Sequence, residues 1–210
     1  GPQGSKENVR KYLDLFNHKG NRLDLEVHEV SKGRVYENEE FYFETEKMQH
    51  DSPCNAYSFV IKEKSRLDKK KLDKLKIPNS PLVGKLARGE IVEIGGKKLD
   101  GSKMLYNEKK RKVTVIMDTR YNGEAVRFAK GSDVLIIEST YSKDEKDIAE
   151  NHAYLTSHQA AKIAKKSKSK ALVLIHLSQK YDMVPKKILA EAKEVFEDVI
   201  IPDDLDSLEL

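Results

Sequence analysis

The sequence has no tryptophan and a single cysteine, Cys54, among its 210 residues, and no apolar run approaches the roughly 18 to 20 residues that a membrane span requires. One thiol excludes an internal disulfide framework and fits a reducing compartment, so cytoplasm is the default location and Cys54 is expected to pack as a small apolar side chain. No apolar signal segment opens the chain. Aromatic residues stop at 7% and hydrophobic residues at 38%, whereas charged residues reach 35%, well above the usual figure of about 25%. The chain is long enough for one core carrying an inserted arm, and a single domain over residues 1–210 is expected.

The net charge of +4 conceals a strong asymmetry. Lys62 to Lys112 hold 17 Lys/Arg against 7 Asp/Glu, so the remainder of the chain is acidic. That distribution predicts a polyanion-binding segment on an acidic body, with a merely solvated lysine-rich loop as the alternative. The first residue is not Met, and Gly1-Pro2-Gln3-Gly4-Ser5 fits either the scar of a removed tag or a cut from a longer polypeptide.

Hydrophobic spacing organises the rest. Val9, Tyr12, Leu13 and Phe16 recur at helical intervals, predicting a short amphipathic helix from Lys6. Leu23 to Val30, Val35-Tyr36, Phe41 to Phe43 and Ala56 to Ile61 read as short antiparallel strands between turn residues. Within the basic segment Leu67 to Leu75 predict a short helix, Pro78-Asn79-Ser80-Pro81 a break, and Val83 to Arg88 another helical turn before Gly95-Gly96. Its apolar content is low, so residues 63–111 are expected to protrude or be mobile. Beyond it strands at Val113 to Met117, Val134 to Glu138 and Ala171 to His176 alternate with helices at Glu124 to Lys130, Asp144 to Ser167 and Pro185 to Phe196, and Val199 to Ile201 closes the series. Alternation of this kind predicts an α/β layered sheet covered by helices.

Three metal-capable side chains stand where an apolar strand gives way to a loop: His50, Asp118 and His176. Imidazole and carboxylate suit zinc, and a carboxylate can bridge two ions of the kind that cleave phosphodiesters. Each residue alone has a plainer explanation as a strand-end cap, and His18, His28 and His158 read as surface residues.

The segments around these strand ends resemble the ribonuclease Z family, whose members remove the 3′ trailer from precursor tRNA. Met117-Asp118-Thr119-Arg120 is similar to the family's GDTR segment, Ile175-His176-Leu177-Ser178-Gln179-Lys180-Tyr181 to THxSxRY, and Gln49-His50-Asp51-Ser52-Pro53 through Tyr57 to DHxxPAxGY. Gly1-Pro2-Gln3-Gly4 resembles the YGPKG turn, and Ile77 through Glu90 resembles IPPGPLxGKLxxGE of the tRNA-binding arm. Five ordered segments cover nearly the whole chain. The resemblance implies a metallo-β-lactamase αββα sandwich with an incomplete N-terminal half. It implies two zinc ions in a complete site, with His50 and His176 as ligands and Asp118 as bridge.

It further implies that Lys69, Lys70, Lys71, Ser80, Pro81, Lys85 and Arg88 belong to an arm gripping precursor tRNA, often within a homodimer, and that Ser178 and Lys180 touch the scissile phosphate. Glu138, in Ile137-Glu138-Ser139-Thr140-Tyr141, matches the glutamate of HEATF, which orients a histidine that assists the leaving oxygen. Tyr154 occupies that histidine's place, and His152 two residues earlier is the candidate substitute. The HxHxDH motif is absent from these residues and should lie N-terminal to Gly1, in the same polypeptide or a complementary chain. The readings are therefore zinc-dependent removal of tRNA 3′ trailers, a non-catalytic tRNA-binding protein or inactive half, and another metallo-β-lactamase-fold hydrolase.

Overall fold

The computed structural model describes residues 1–16, 25–77 and 80–209. The chain separates into two compact units, one formed by Gly1–Val60 with Arg111–Leu210 and the other by Ile61–Lys110.

The larger unit begins with α1 (Ser5–Phe16) and continues into β1 (Lys32–Glu37), β2 (Phe41–Met48) and β3 (Cys54–Ile61). Where a strand was expected over 23–30, residues 25–30 form none; Val30 is instead held by Gly1 and Asn55, its N–H bonding the Gly1 carbonyl at 2.8 Å. Leu23 of that expected strand and His18 lie outside the described residues.

The smaller unit comprises β4 (Lys64–Leu67), α2 (Lys69–Lys74), α3 (Pro81–Ala87), β5 (Ile91–Ile94), β6 (Lys97–Asp100) and β7 (Leu105–Glu108). Asp68 caps α2 by accepting from the Lys70 and Lys71 N–H groups, and Pro81 opens α3. The expected break includes Pro78 and Asn79, which lie outside the described residues. Its four strands were not foreseen, because Leu67, Leu72, Ile77, Leu86, Val92, Ile94, Leu99 and Met104 are scattered among lysines without a period. They nevertheless share a small core in which Leu86 is fully buried. β4 pairs with β7, and β5 with β6 across Gly95-Gly96, both at positive φ as a two-residue hairpin turn requires.

The chain returns to the larger unit with β8 (Arg111–Ile116), α4 (Gly123–Phe128), β9 (Val134–Glu138), α5 (Lys146–Asn151), α6 (Ser157–Ser167), β10 (Ala171–Ile175), α7 (Pro185–Lys193) and β11 (Val199–Ile200). One sheet has the order β1-β2-β3-β8-β9-β10-β11. β1 and β2 are antiparallel, whereas β8, β9, β10 and β11 are parallel. Ile116, Leu135, Ile137, Leu172 and Leu174 bury one sheet face against Ala125 of α4 and Ala129 at its C-terminal cap, Ala160, Ile163 and Ala164 of α6, and Ile188 of α7. The alanines let the helices lie close to the branched side chains of the sheet.

The other face is apolar and incompletely covered. Val115, Ile136 and Val173 lie in one cross-strand row. Phe41, Phe43 and Phe59 cluster on the same face, with rings 5.0–5.8 Å apart and Phe43 37% exposed. No helix among the described residues is long and apolar enough to cross a membrane.

Gly101 begins the short 3-10 turn after β6, and a Cβ there would lie 2.6 Å from the Leu86 carbonyl and 2.7 Å from that of Glu90. Backbone cannot yield as a side-chain tip can. Gly101→Ala is expected to destabilise the smaller unit by about 1–3 kcal/mol. Hydrogen exchange of the β5–β6 amides should quicken while that of β9 and β10 stays unchanged; equal protection in both would refute the close approach.

Candidate active site

Because β8, β9 and β10 are parallel, their carboxyl ends share one edge of the sheet, the usual place for a ligand in an open α/β sheet. Asp118 lies just beyond β8, Glu138 ends β9 and His176 follows β10. Asp118 and His176 both have left-handed backbone, with φ of 36° and 55°. Such conformations are costly for residues with a Cβ and tend to persist where function requires them. The His176 Nδ1 lies 3.7 Å from Asp118 Oδ1, an oxygen that is itself buried without a hydrogen-bond partner.

The loop after β2 is tied to the same edge. The Gln49 N–H bonds Thr119 Oγ1 at 3.2 Å, the Arg120 N–H bonds the Gln49 carbonyl at 2.8 Å, and Arg120 pairs with Asp51 at 3.0 Å. His50 thereby enters the site, its Nδ1 3.1 Å from the Ala153 carbonyl. Donation to that carbonyl leaves Nε2 with its lone pair.

Glu138 is fully buried and draws four hydrogen bonds. Its Oε1 accepts from the Thr119 and Leu155 N–H groups at 3.2 and 2.9 Å. Its Oε2 accepts from the Thr140 N–H at 3.2 Å and hydroxyl at 2.8 Å. Burial pushes this carboxyl up to about 7, against the four donors, which favour the charged form. Thr140 Oγ1 also lies 3.1 Å from His176 Nδ1. With the hydroxyl proton given to Glu138, His176 must carry hydrogen on Nδ1 to make that bond, which again frees Nε2.

Tyr154 takes the middle of the site. Its ring centroid lies 5.1 Å from that of His50 and 5.7 Å from that of His176. Burial, then the carboxylates of Asp118 and Glu138, raise its phenol above the ordinary value, so it stays protonated. His152 lies farther out, exposed at the end of α5 with its ring 6.4 Å from Tyr141. Glu138 bonds neither Tyr154 nor His152, but reaches His176 through Thr140.

Asp118 and His176 thus adjoin, while Tyr154 neighbours both histidines. Among the described residues no cluster of three or more His, Cys, Asp or Glu side chains is assembled for a metal. The orphaned Asp118 oxygen and the two freed Nε2 atoms do fit a cation supplemented by further ligands. Of the expected phosphate contacts, Ser178 is fixed through its N–H to the Thr140 carbonyl, and Lys180 is engaged by Glu145 while lying 5.1 Å over the Tyr141 ring. Lys69 and Lys70 border a cleft with Arg66 in the smaller unit, Lys71 donates to the Lys103 carbonyl, and Arg88 pairs with Glu90. Pro81 and Lys85 are exposed, and Ser80 is half-buried at the start of α3. Sequence reasoning missed Thr119 and Thr140, although the first adjoins Asp118, the second stands two residues from Glu138, and both lie within quoted segments.

No protein-family model matches the chain. Over 96% of its length it superposes on 59% of the metallo-β-lactamase-fold protein YhfI of Bacillus subtilis, with TM-score 0.59 and 17% identity. Over 98% of its length it superposes on 64% of the short form of human tRNase Z, with TM-score 0.60 and 18% identity. The fold is therefore that of the metallo-β-lactamase class. The chain is 37% identical over its whole length to Ribonuclease Z of Lactobacillus helveticus, covering 69% of that protein, and 34% identical to Ribonuclease Z of Lactococcus lactis, covering 67%. The chain belongs to the ribonuclease Z family.

A carboxyl raised from 4.5 to about 7 adds stability in its protonated form. That contribution is full below pH 4.5 and is lost as pH rises through about 7. With 1.36 kcal/mol per unit, chemical denaturation should show a fall of up to about 3 kcal/mol across this window. Glu138→Gln should flatten the profile. Stability that rises across the window in the parent chain, or an unchanged profile in the variant, would contradict the assignment.

Proposed function

We propose that these residues form the C-terminal portion of a zinc-dependent endoribonuclease that removes the 3′ trailer from precursor tRNA, completed by a half carrying the HxHxDH ligands. The observation that carries this reading is the buried, unpartnered Asp118 oxygen beside His176 at the carboxyl ends of parallel strands, in a chain of this family. The half-covered sheet face with Phe43, Phe59, Val115 and Ile136 supports the second half, because a sheet face this apolar calls for a further layer.

In this reading Asp118, His176 and His50 are the residues of this chain that would hold zinc. Held there, zinc would supply Lewis-acid stabilisation of charge on the phosphodiester and would lower the pKa of the attacking water. Glu138 and Thr140 set the hydrogen position on His176. The Tyr154 phenol donates a hydrogen bond to the leaving oxygen and remains protonated at neutral pH, but as an acid it is much weaker than imidazolium. Ser178 orients the phosphate, and Lys180 reaches it once released from Glu145. Lys69, Lys70, Lys71, Lys85 and Arg88 contribute phosphate contacts that hold the tRNA body.

A second reading is a tRNA-binding protein without catalysis, and the phenol where the resemblance expects imidazole favours it. Supplying the chain with the polypeptide that precedes Gly1 in its source, and assaying cleavage of a precursor tRNA with zinc or a chelator, separates the two. The enzymatic reading expects cleavage lost with the chelator and with Asp118→Ala; cleavage that survives Asp118→Ala would overturn the metal assignment. Tyr154→His should raise the cleavage rate by roughly tenfold or more, since a well-placed general acid contributes about 10²–10⁴-fold. Salt-sensitive tRNA binding with no cleavage by either form would select the second reading.

A further inference from the structure

The larger unit carries a basic groove outside the strand-end site and outside the basic segment 61–110. It has a volume of about 520 Å³, and its charged lining consists of Lys143, Lys146, Lys162, Lys165, Lys166 and His158, with no carboxylate. Three of these lysines come from one face of α6. Lys162 and Lys166 are one turn apart, about 6 Å along the axis.

The cations differ in what holds them. Lys143 is paired with Glu194 at 2.6 Å, and Lys166 donates to the Tyr121 hydroxyl at 2.8 Å. Lys146, Lys162 and Lys165 are exposed, and no carboxylate lies within ion-pair distance of them among the described residues. Surface lysines are commonly offset by nearby acids; here a chain rich in Asp and Glu leaves three facing one groove. His158 senses their field: burial, and then Lys162 and Lys143, hold its imidazole below the ordinary value, while Glu194 acts in the opposite direction.

The groove adjoins the candidate active site. Tyr141, whose ring neighbours Tyr154, pairs with Thr156, and the Ser157 N–H bonds the Tyr141 carbonyl at 2.9 Å. Thr156 also lines the groove, as does Lys143.

We propose that this groove binds the phosphodiester backbone of the RNA whose scissile bond lies at the strand-end site, as a second phosphate contact separate from the basic segment. The inference rests on the tRNA-processing reading above. Its partner is a polyanion rather than a single small anion, because the free cations come from two helices, α5 and α6, around an open groove instead of converging on one point. The contact is sequence-independent and weakens with salt.

The test compares the full chain with a Lys146→Gln, Lys162→Gln, Lys165→Gln variant and with a Lys69→Gln, Lys70→Gln, Lys71→Gln variant. Binding of a fluorescein-labelled acceptor-stem hairpin with a single-stranded 3′ extension is followed by anisotropy from about 50 to 200 mM salt, with circular dichroism checking the fold. At roughly 0.7–0.9 per phosphate contact, the groove variant should lose about 2 to 3 from the slope of log affinity against log salt, and at least tenfold in low-salt affinity. If only the variant at Lys69, Lys70 and Lys71 weakens binding, the groove inference fails while the tRNA reading stands. If the parent chain binds no hairpin at low salt, both fail. A saturable shift of the His158 imidazole resonance with inorganic phosphate, alongside unchanged hairpin affinity, would show a small-anion site and overturn the proposal.

Discussion

The buried Glu138 carboxylate ties together the loops on which the candidate site is built. Its donors come from Thr119 beside Asp118, from Thr140 beneath His176, and from Leu155 next to Tyr154. These loops follow β8, β9 and α5, so the carboxylate joins segments separated in the chain by whole elements. A buried carboxylate is costly, and four donors offset part of that cost only while all three loops keep their places. Losing one donor would leave charge unsatisfied at the point where strained Asp118 and His176 must be held. The site is thus positioned from underneath, by polar bonding at strand ends, rather than by packing alone.

The parallel half of the fold was the more legible from sequence. β9 and β10 are almost wholly apolar, β8 ends on Val113, Val115 and Ile116, and the Asp, Glu and His that end up together stand at or just beyond the ends of these strands. Capping supplies further local signals, as where Thr156 and Gln159 form a reciprocal box at the start of α6. The smaller unit was not legible as structure. Its core residues are few and fall between lysines, so neither a period of 2 nor one of 3.6 emerges, and the pairing of β4 with β7 spans some 40 residues. In the site the residue types could be read but not their grouping. That Thr140 links Glu138 to His176 depends on a register between β9 and β10 that no local pattern encodes. That Tyr154 sits among the histidines depends on the turn at Ala153, whose φ of 59° is unusual for a residue with a Cβ.

Charge and apolar surface divide the labour. The basic segment 61–110 and the α6 groove are two distinct cationic surfaces on a chain whose remainder is acidic, and a polyanion at either would be held by diffuse attraction rather than by base contacts. The sheet face with Phe43, Val115 and Ile136 serves another need. It borders the strands that carry the site, so whatever layer covers it also approaches Asp118 and His176. If the half proposed above supplies that layer, completing the core and completing the ligand set would be one event, as where metal binding and folding are coupled.

The most direct test of the account is the position of zinc in crystals of the chain joined to its complementary half, read from anomalous scattering at the zinc edge. The account predicts a peak bonded to both Asp118 and His176, with the Asp118 oxygen that now lacks a partner among its ligands. Zinc bound elsewhere, or both side chains free of metal in the completed protein, would contradict it.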